Sequence, residues 1–120
     1  MLKKLVLPLL VLMFFASCSE YRRLQKSDDW EEKYEGALSL YEKEKYFKAS
    51  SLLEEILRIV QGTQYGEEAM YTLAYSYYHQ GLYALASHYF SEFFVTYARS
   101  ERAMEAMFMH AYSLYMQSPN

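Results

Sequence analysis

The sequence of 120 residues is long enough for one small domain. Its composition, 52% hydrophobic and 18% aromatic, is typical of a packed domain and argues against a disordered chain. The formal net charge of −3, without a visible basic face, argues against a nucleic-acid-binding protein. Only four glycines and two prolines occur, and there is no long alternation of β-branched residues, so we predict an all-α protein with short connections.

The first 17 residues have the pattern of a secretory signal peptide. Lys3 and Lys4 form a basic start, and an apolar run of eleven residues follows over 5–15. A helix needs about 20 apolar residues to span a bilayer, so this run is too short for a membrane span. Its length suits the apolar region of a signal peptide. Removal of a signal peptide over 1–17 leaves 10 basic and 15 acidic residues, a net charge of −5.

The only cysteine, Cys18, directly follows the small residues Ala16 and Ser17. An unpaired thiol is unfavourable in the oxidising compartments that receive exported proteins. The segment resembles a bacterial lipobox, in which the cysteine is acylated and becomes the first mature residue, although Phe15 stands where an aliphatic residue is usual. We therefore predict a lipoprotein signal peptide over 1–17 and a lipidated (palmitate-carrying) cysteine with a tether over 18–28; a simple secreted protein is the alternative. Stable anchoring takes at least two acyl chains, which a lipoprotein cysteine carries.

A repeat of 37 residues follows the tether. This offset aligns Tyr34 with Tyr71, and it aligns 68–80 with 105–117, where eight of 13 residues are identical. Such self-similarity is typical of repeat proteins built from helix pairs. We predict one repeat over 29–64, a second over 65–100 and the first helix of a third over 101–120, with a linker over 61–66 between the first two.

The unit resembles the tetratricopeptide (TPR) repeat. Its second copy has Leu73-Ala74, an aromatic residue, a Gly81-x-Tyr83 turn, and then Ala86 and Phe90; the first copy has Glu44 where the turn glycine would stand. Small alanines allow two helices to approach closely, and large neighbours fill the space beside the contact. The resemblance implies an antiparallel helix-pair solenoid of about two and a half repeats. Only the first helix of the third repeat is present in the sequence, and such an unpaired terminal helix exposes apolar surface. We therefore expect the third repeat to be truncated.

Aromatic residues recur at spacings of three and four along the first helix of each unit, beside the predicted packing face. In a TPR stack these helices line a concave groove, and tyrosine combines a large contact area with a hydroxyl group that suits recognition of a peptide. The alternative is that the rings only pack between neighbouring helices. The predicted peptide- or partner-binding residues are Tyr34, Tyr41, Tyr71, Tyr75, Tyr78, His79, Phe108, Tyr112 and Tyr115.

Three glutamates, Glu31, Glu68 and Glu105, recur near the predicted start of each first helix. Negative side chains stabilise a helix N-terminus, and we expect that role for all three.

The sequence contains no catalytic pattern. His79, His88 and His110 have neither metal-ligand spacing nor a neighbouring cysteine or carboxylate motif, and His110 is expected at a helix interface. Nucleophile and phosphate-binding motifs are also missing. We therefore predict a protein that is not an enzyme and that uses no metal or cofactor.

The lipobox, the segment SEYRRLQKSDDWEEKYEGA after it and the helix pair beginning EEAMYTLAYSYYHQG together resemble the BamD family of outer-membrane assembly lipoproteins, in the form typical of Bacteroidetes-type bacteria. The resemblance covers essentially all of the mature chain. It implies a lipid-anchored protein on the periplasmic face of the outer membrane, working in the BAM complex that folds and inserts β-barrel proteins. The implied partners are BamA-like subunits and unfolded outer-membrane proteins.

Two alternatives stay open from the residues. One is a TPR scaffold lipoprotein of another cell-envelope complex, such as cell-wall or secretion machinery. The other is the N-terminal part of a SusD-like nutrient-binding lipoprotein, against which the compact repeat spacing argues.

Overall fold

The structure is a computed structural model that describes residues 19–119, together with Lys4 and Pro8. Within this part of the chain a helical segment over 19–26 is followed by further helices, and no strand occurs. The bounds of these helices are α1 (Trp30–Glu42), α2 (Tyr46–Val60), α3 (Gln64–His79), α4 (Tyr83–Thr96) and α5 (Ala103–Gln117). The predicted signal peptide, apart from Lys4 and Pro8, and the predicted lipidation site Cys18 lie outside the described residues.

Each helix packs on the next one along the chain, and α1 also touches α3. Connections of three residues join the first four helices, which leaves room only for tight reversals of the chain. The pairs α1/α2 and α3/α4, with α5 packed on α4, form the predicted all-α, TPR-like helix-pair solenoid, so this prediction is confirmed. Because first helices neighbour first helices, α1 and α3 lie on the same side of the stack.

The core sits where second helices meet first helices. Ala49 and Ala86 have no exposed surface, and neither do the large residues Leu53 and Phe90 that follow each of them by one turn. Small side chains at the crossing let the helices approach, and the large ones exclude solvent beside it. The TPR pattern in the sequence therefore corresponds to the packing.

The turns that end α1 and α3 have the same backbone conformation. Glu44 has φ 62° and Gly81 has φ 76°, both in the left-handed region. After each, a backbone N–H bonds to a carbonyl five residues earlier, Lys45 to Leu40 at 2.8 Å and Leu82 to Tyr77 at 3.0 Å. This is the Schellman arrangement, which glycine usually supplies. Glu44 therefore adopts a conformation that a residue with a Cβ disfavours.

The helix α3 begins at Gln64, inside the segment predicted to be a linker over 61–66. The Thr63 side chain accepts a hydrogen bond from the Gly66 N–H at 3.2 Å and caps the helix. Glu68 consequently lies beyond the first turn, and the prediction that it stabilises a helix N-terminus is wrong. Glu31 and Glu105 do lie in the first turns of α1 and α5.

The segment over 19–26 is packed on the first repeat, where the sequence predicted a tether over 18–28. Leu24 is only 2% exposed and belongs to the core. It lies against Gly36 of α1, where an added Cβ would be 2.5 Å from the Leu24 Cδ1 atom. The absence of a side chain at Gly36 creates the space that Leu24 fills.

We expect Glu44→Gly to stabilise the protein by about 1 kcal/mol, because a non-glycine residue in the left-handed region costs about 1–2 kcal/mol and the glycine's extra entropy in the unfolded chain offsets part of the gain. Urea unfolding followed by circular dichroism measures the change. Gly81→Ala at the equivalent turn is the matched control and should destabilise the protein. A Glu44→Gly variant that is less stable than the wild type contradicts the assigned turn.

Leu24→Ala should destabilise the protein by about 2–5 kcal/mol, since removing a fully buried leucine leaves a cavity. Leu85→Ala, at a leucine that is 42% exposed, should change the free energy of unfolding by no more than about 0.5 kcal/mol. Thermal unfolding of the two variants compares them directly. Equal stabilities would mean that the segment over 19–26 is not part of the cooperative fold.

Candidate functional site

A cleft of about 210 Å³ lies between the first helices α1 and α3. The predicted binding residues Tyr41 and Tyr71 both line it. The complete lining is Leu38, Tyr41, Glu42, Glu68, Tyr71 and Thr72. The cleft is therefore partly aromatic and carries carboxylates from both helices.

The three tyrosines predicted on α3 form a continuous row of rings. Ring centroids are 4.9 Å apart between Tyr71 and Tyr75, and 6.4 Å apart between Tyr75 and Tyr78. The row also reaches the core: Tyr71 is 5.6 Å from Phe93, and Tyr75 meets Phe90 edge-on at 4.9 Å. All three tyrosines are half-buried. Each ring thus packs on α4 with one part and presents the rest to the groove side.

Polar contacts at Tyr71 connect α3 to the start of α5. The Tyr71 hydroxyl donates a hydrogen bond to a carboxylate oxygen of Glu105. The guanidinium carbon of Arg102 lies 4.6 Å from the centre of the Tyr71 ring, and its Nη1 donates to Glu68 at 2.5 Å. Glu68, whose predicted role was wrong, therefore belongs to a cluster of charged and aromatic groups that bridges two repeats.

Burial keeps the hydroxyl groups of this cluster protonated. Burial, as the largest cause, and the hydrogen bond to Glu105, as the second, together raise the pKa of Tyr71 to about 12. Burial is also the largest cause of the raised pKa of Tyr75, and the neighbouring Tyr71 hydroxyl and Glu105 carboxylate raise it further. Both side chains therefore remain hydrogen-bond donors at pH 10.0, where an unperturbed tyrosine is half ionised.

At the other end of the groove, His79 joins the first repeat to the second. Its ring stacks on Tyr46 at 4.5 Å between centroids, and Tyr41 is 6.1 Å away. Tyr75 and Tyr78 are also within about 6 Å of the His79 ring. The structure therefore brings Tyr41, His79 and the α3 row into one cluster.

The predicted residue Tyr34 is separate from this cluster, and its aromatic contact in the described part of the chain is Tyr65, at 5.5 Å. Sequence reasoning assigned no site role to Tyr65, which it placed in the linker over 61–66, or to Tyr46, which begins the second helix α2, because it searched for groove residues on first helices only. The repeat offset could have found Tyr46: it aligns with Tyr83, which contacts Tyr78 at 5.6 Å.

The row continues onto α5. Tyr112 lies 6.2 Å from Tyr78, and it stacks with Phe108 at 5.9 Å and with Tyr115 at 6.1 Å. Phe108 and Tyr115 are 64% and 72% exposed. The aromatic surface is thus half-buried on α3 and most accessible on α5. We call the residues Tyr41, Tyr71, Tyr75, Tyr78, His79, Phe108, Tyr112 and Tyr115 the aromatic groove.

The remaining histidines have no visible part in a chemical site. His110 is half-buried, and its Nδ1 lies 2.8 Å from the carbonyl oxygen of Ser87, which is the helix-interface role that the sequence predicted. His88 is exposed beside Tyr89. Among the described residues, no group of three or more histidine, cysteine, aspartate or glutamate side chains could hold a metal ion.

The raised pKa of Tyr71 predicts a loss of stability in alkali. Because the folded protein holds this proton more tightly than the unfolded chain, the contribution is complete below pH 10.0 and declines as the pH rises to about 12. The melting temperature should therefore fall over this range, and less steeply in Tyr71→Phe, which cannot ionise at this position. Circular dichroism melts measure the fall, with Tyr115→Phe at an exposed position as the control that leaves it unchanged. A fall of the same size in Tyr71→Phe would contradict the assignment.

Three further findings complete the description. None of the helices in the described part of the chain combines the length and the apolar character needed to cross a membrane. A family model described as "Outer membrane lipoprotein" (YfiO) matches residues 26–120, which include α1 to α5 but not Cys18. No curated protein sequence matches the chain. The match covers most of the chain and coincides with the helix pairs, and the chain therefore belongs to the YfiO family of outer membrane lipoproteins, the BamD-like family.

Proposed function

We propose that this protein is a non-enzymatic component of the outer-membrane β-barrel assembly machinery, and that its aromatic groove binds unfolded outer-membrane protein segments, BamA-like partner subunits, or both. Membership of an outer membrane lipoprotein family supports the cellular setting. The acylation of Cys18, the location on the periplasmic face and the Bacteroidetes-type assignment come from the sequence resemblance and are parts of the same proposal.

The observation that carries the proposal is the continuity of the aromatic groove. Rings from α1, α3 and α5 follow one another at centroid distances of about 4.9 to 6.4 Å, through the link between Tyr78 and Tyr112. An extended peptide with aromatic side chains can pack on such a row, each contact contributing about 0.5–1.5 kcal/mol. Several contacts of this size give modest, reversible affinity, as delivery of a client requires. A membrane anchor then raises the local concentration of the site.

The two parts of the groove have different tasks in this proposal. Tyr71 and Tyr75 are half-buried, and the Tyr71 hydroxyl is hydrogen-bonded to Glu105. They therefore form a rigid floor, and binding costs little entropy for ordering these side chains. Phe108 and Tyr115 expose most of their surface and supply the apolar area that a ligand covers.

The charges of the groove favour a client peptide without acidic side chains. Glu42, Glu68 and Glu105 face or border it, with Arg102 as the cation at the α5 end. The Arg102 side chain is 41% exposed, so the terminal carboxylate of a client can compete with Glu68 for it. We therefore infer that the groove takes a free C-terminus at this end.

The test is a titration of the full chain with a peptide from the C-terminus of a β-barrel protein that ends in an aromatic residue. Loss of two aromatic contacts in Phe108→Ala/Tyr112→Ala should weaken binding by about 1–3 kcal/mol, a factor of roughly 5 to 150 in Kd. Both residues are exposed, so the fold should survive, and circular dichroism checks this. The same peptide with an amidated C-terminus should bind more weakly.

Phe47→Ala is the matched control, because Phe47 is an exposed aromatic residue outside the groove. Its Kd should equal that of the wild type. A wild-type protein that does not bind the peptide, or equal weakening by both variants, contradicts groove binding. In that case the rings serve packing, and the scaffold interpretation of the lipoprotein becomes the better one.

A further inference from the structure

We propose that the turn between α1 and α2 lies against the surface of the bilayer that carries the lipid anchor, with Phe47 inserted at the level of the lipid headgroups. We call residues 43–48 the membrane-facing turn. The inference goes beyond the groove and rests on the proposed acylation of Cys18.

The direction of the segment over 19–26 places its start at this turn. Its last residues lie beside the beginning of α1, since the Ser27 hydroxyl donates to Glu32 at 2.9 Å. Its middle residue Leu24 meets Gly36, halfway along α1. Its first turn reaches α2, where the Lys48 Nζ lies 5.2 Å from the centre of the Tyr21 ring. The segment thus runs antiparallel to α1, and residue 19 lies level with the end of α1.

The segment allows little movement between an anchor and the fold. Besides the buried Leu24, an ion pair joins Arg23 to Glu32, and the Lys33 Nζ donates to the carbonyl oxygen of Gln25 at 3.4 Å. Cys18 directly precedes residue 19 in the chain. Acyl chains on Cys18 would therefore hold the adjacent edge of the first repeat at the membrane surface, and not merely in its vicinity.

The side chains at that edge suit a lipid headgroup region. Phe47 is 70% exposed, and Lys43 and Lys45 are exposed without an ion-pair partner among the described residues. Lysine side chains lay their apolar stems along an interface and keep the charged tip in the headgroups, and a phenylalanine ring adds apolar contact. The turn holds three lysines and one glutamate, Glu44, so it carries a net charge of +2. A positive charge suits a lipid surface that contains some anionic headgroups.

The opposite edge of the stack offers a matched reference position. Val95 lies in the last turn of α4, which runs back from the edge where the turns after α1 and α3 lie. Its exposure, 69%, equals that of Phe47 within one per cent. A contact with lipid that depends on orientation should distinguish these two residues, whereas random tumbling on a tether should not.

The experiment places a single tryptophan at either position and measures its depth. The full chain is expressed in bacteria and exported to the cell envelope. It carries Trp30→Phe, which removes the native tryptophan, together with either Phe47→Trp or Val95→Trp. Each protein is reconstituted into vesicles of phosphatidylethanolamine with a minor fraction of phosphatidylglycerol, with bromine on the acyl chains. Mass spectrometry measures acylation of Cys18, and circular dichroism checks the fold.

Bromine quenches tryptophan fluorescence only at close range, so quenching should be several-fold stronger in the Phe47→Trp variant than in the Val95→Trp variant. In an acylated protein, equal quenching at the two positions, or stronger quenching at position 95, would overturn this inference alone. Equal quenching is the result expected if a partner protein, and not lipid, covers Phe47. An unmodified Cys18 would overturn the anchor and this inference together, while peptide binding by the groove would be unaffected.

Discussion

The close contact between small side chains at the helix crossings is the constraint on which the rest of the structure depends. Ala49 and Ala86 have no exposed surface, and any larger side chain would separate the helices that meet there. The close packing at these two alanines aligns each second helix with the first helices on either side of it. The first helices then become neighbours, as the contact between α1 and α3 shows. The aromatic groove is a consequence of this packing, since its rings come from three first helices.

The tyrosines of α3 pack on the core with one side of the ring and leave the other side accessible for the recognition that we propose. Tyr75 meets the fully buried Phe90 at 4.9 Å, yet the residue is only half-buried. A leucine could fill the inner part of that space, but it would have no hydroxyl for the network that includes Tyr71 and Glu105. The tyrosines of α3 therefore have a structural role on one side of each ring, and the other side supplies the surface that we propose for binding.

The segment over 19–26 connects the fold to the proposed anchor. Leu24 is as buried as residues in the repeats, although it precedes the first of them. In the proposed arrangement, the contact of Leu24 with Gly36 supports both the stability of the first repeat and the orientation at a membrane. The weak binding that we propose for the groove would gain from such a fixed orientation, because the groove would stay accessible from one direction.

Much of the fold follows from local pattern. The offset of 37 residues, the helical periodicity and the alternation of small and large residues each concern neighbours within one unit, and they predicted the helix pairs and the packed alanines. They also predicted that His110 lies at a helix interface, since it takes the position of Leu73 in the repeat.

Contacts between repeats could not be predicted from these local patterns. The pairing of Glu68 with Arg102, and of Tyr71 with Glu105, depends on how far one repeat is rotated against the next. The packing of Leu24 depends on a gap at Gly36 that no periodic pattern marks, because eight residues are too few to define an apolar face. The sequence by itself determined the helices, the repeat and the small residues at their crossings, whose effects are local. Only the tertiary structure decided which rings join one groove and where the first helical segment lies, because these depend on distances between elements far apart in the chain.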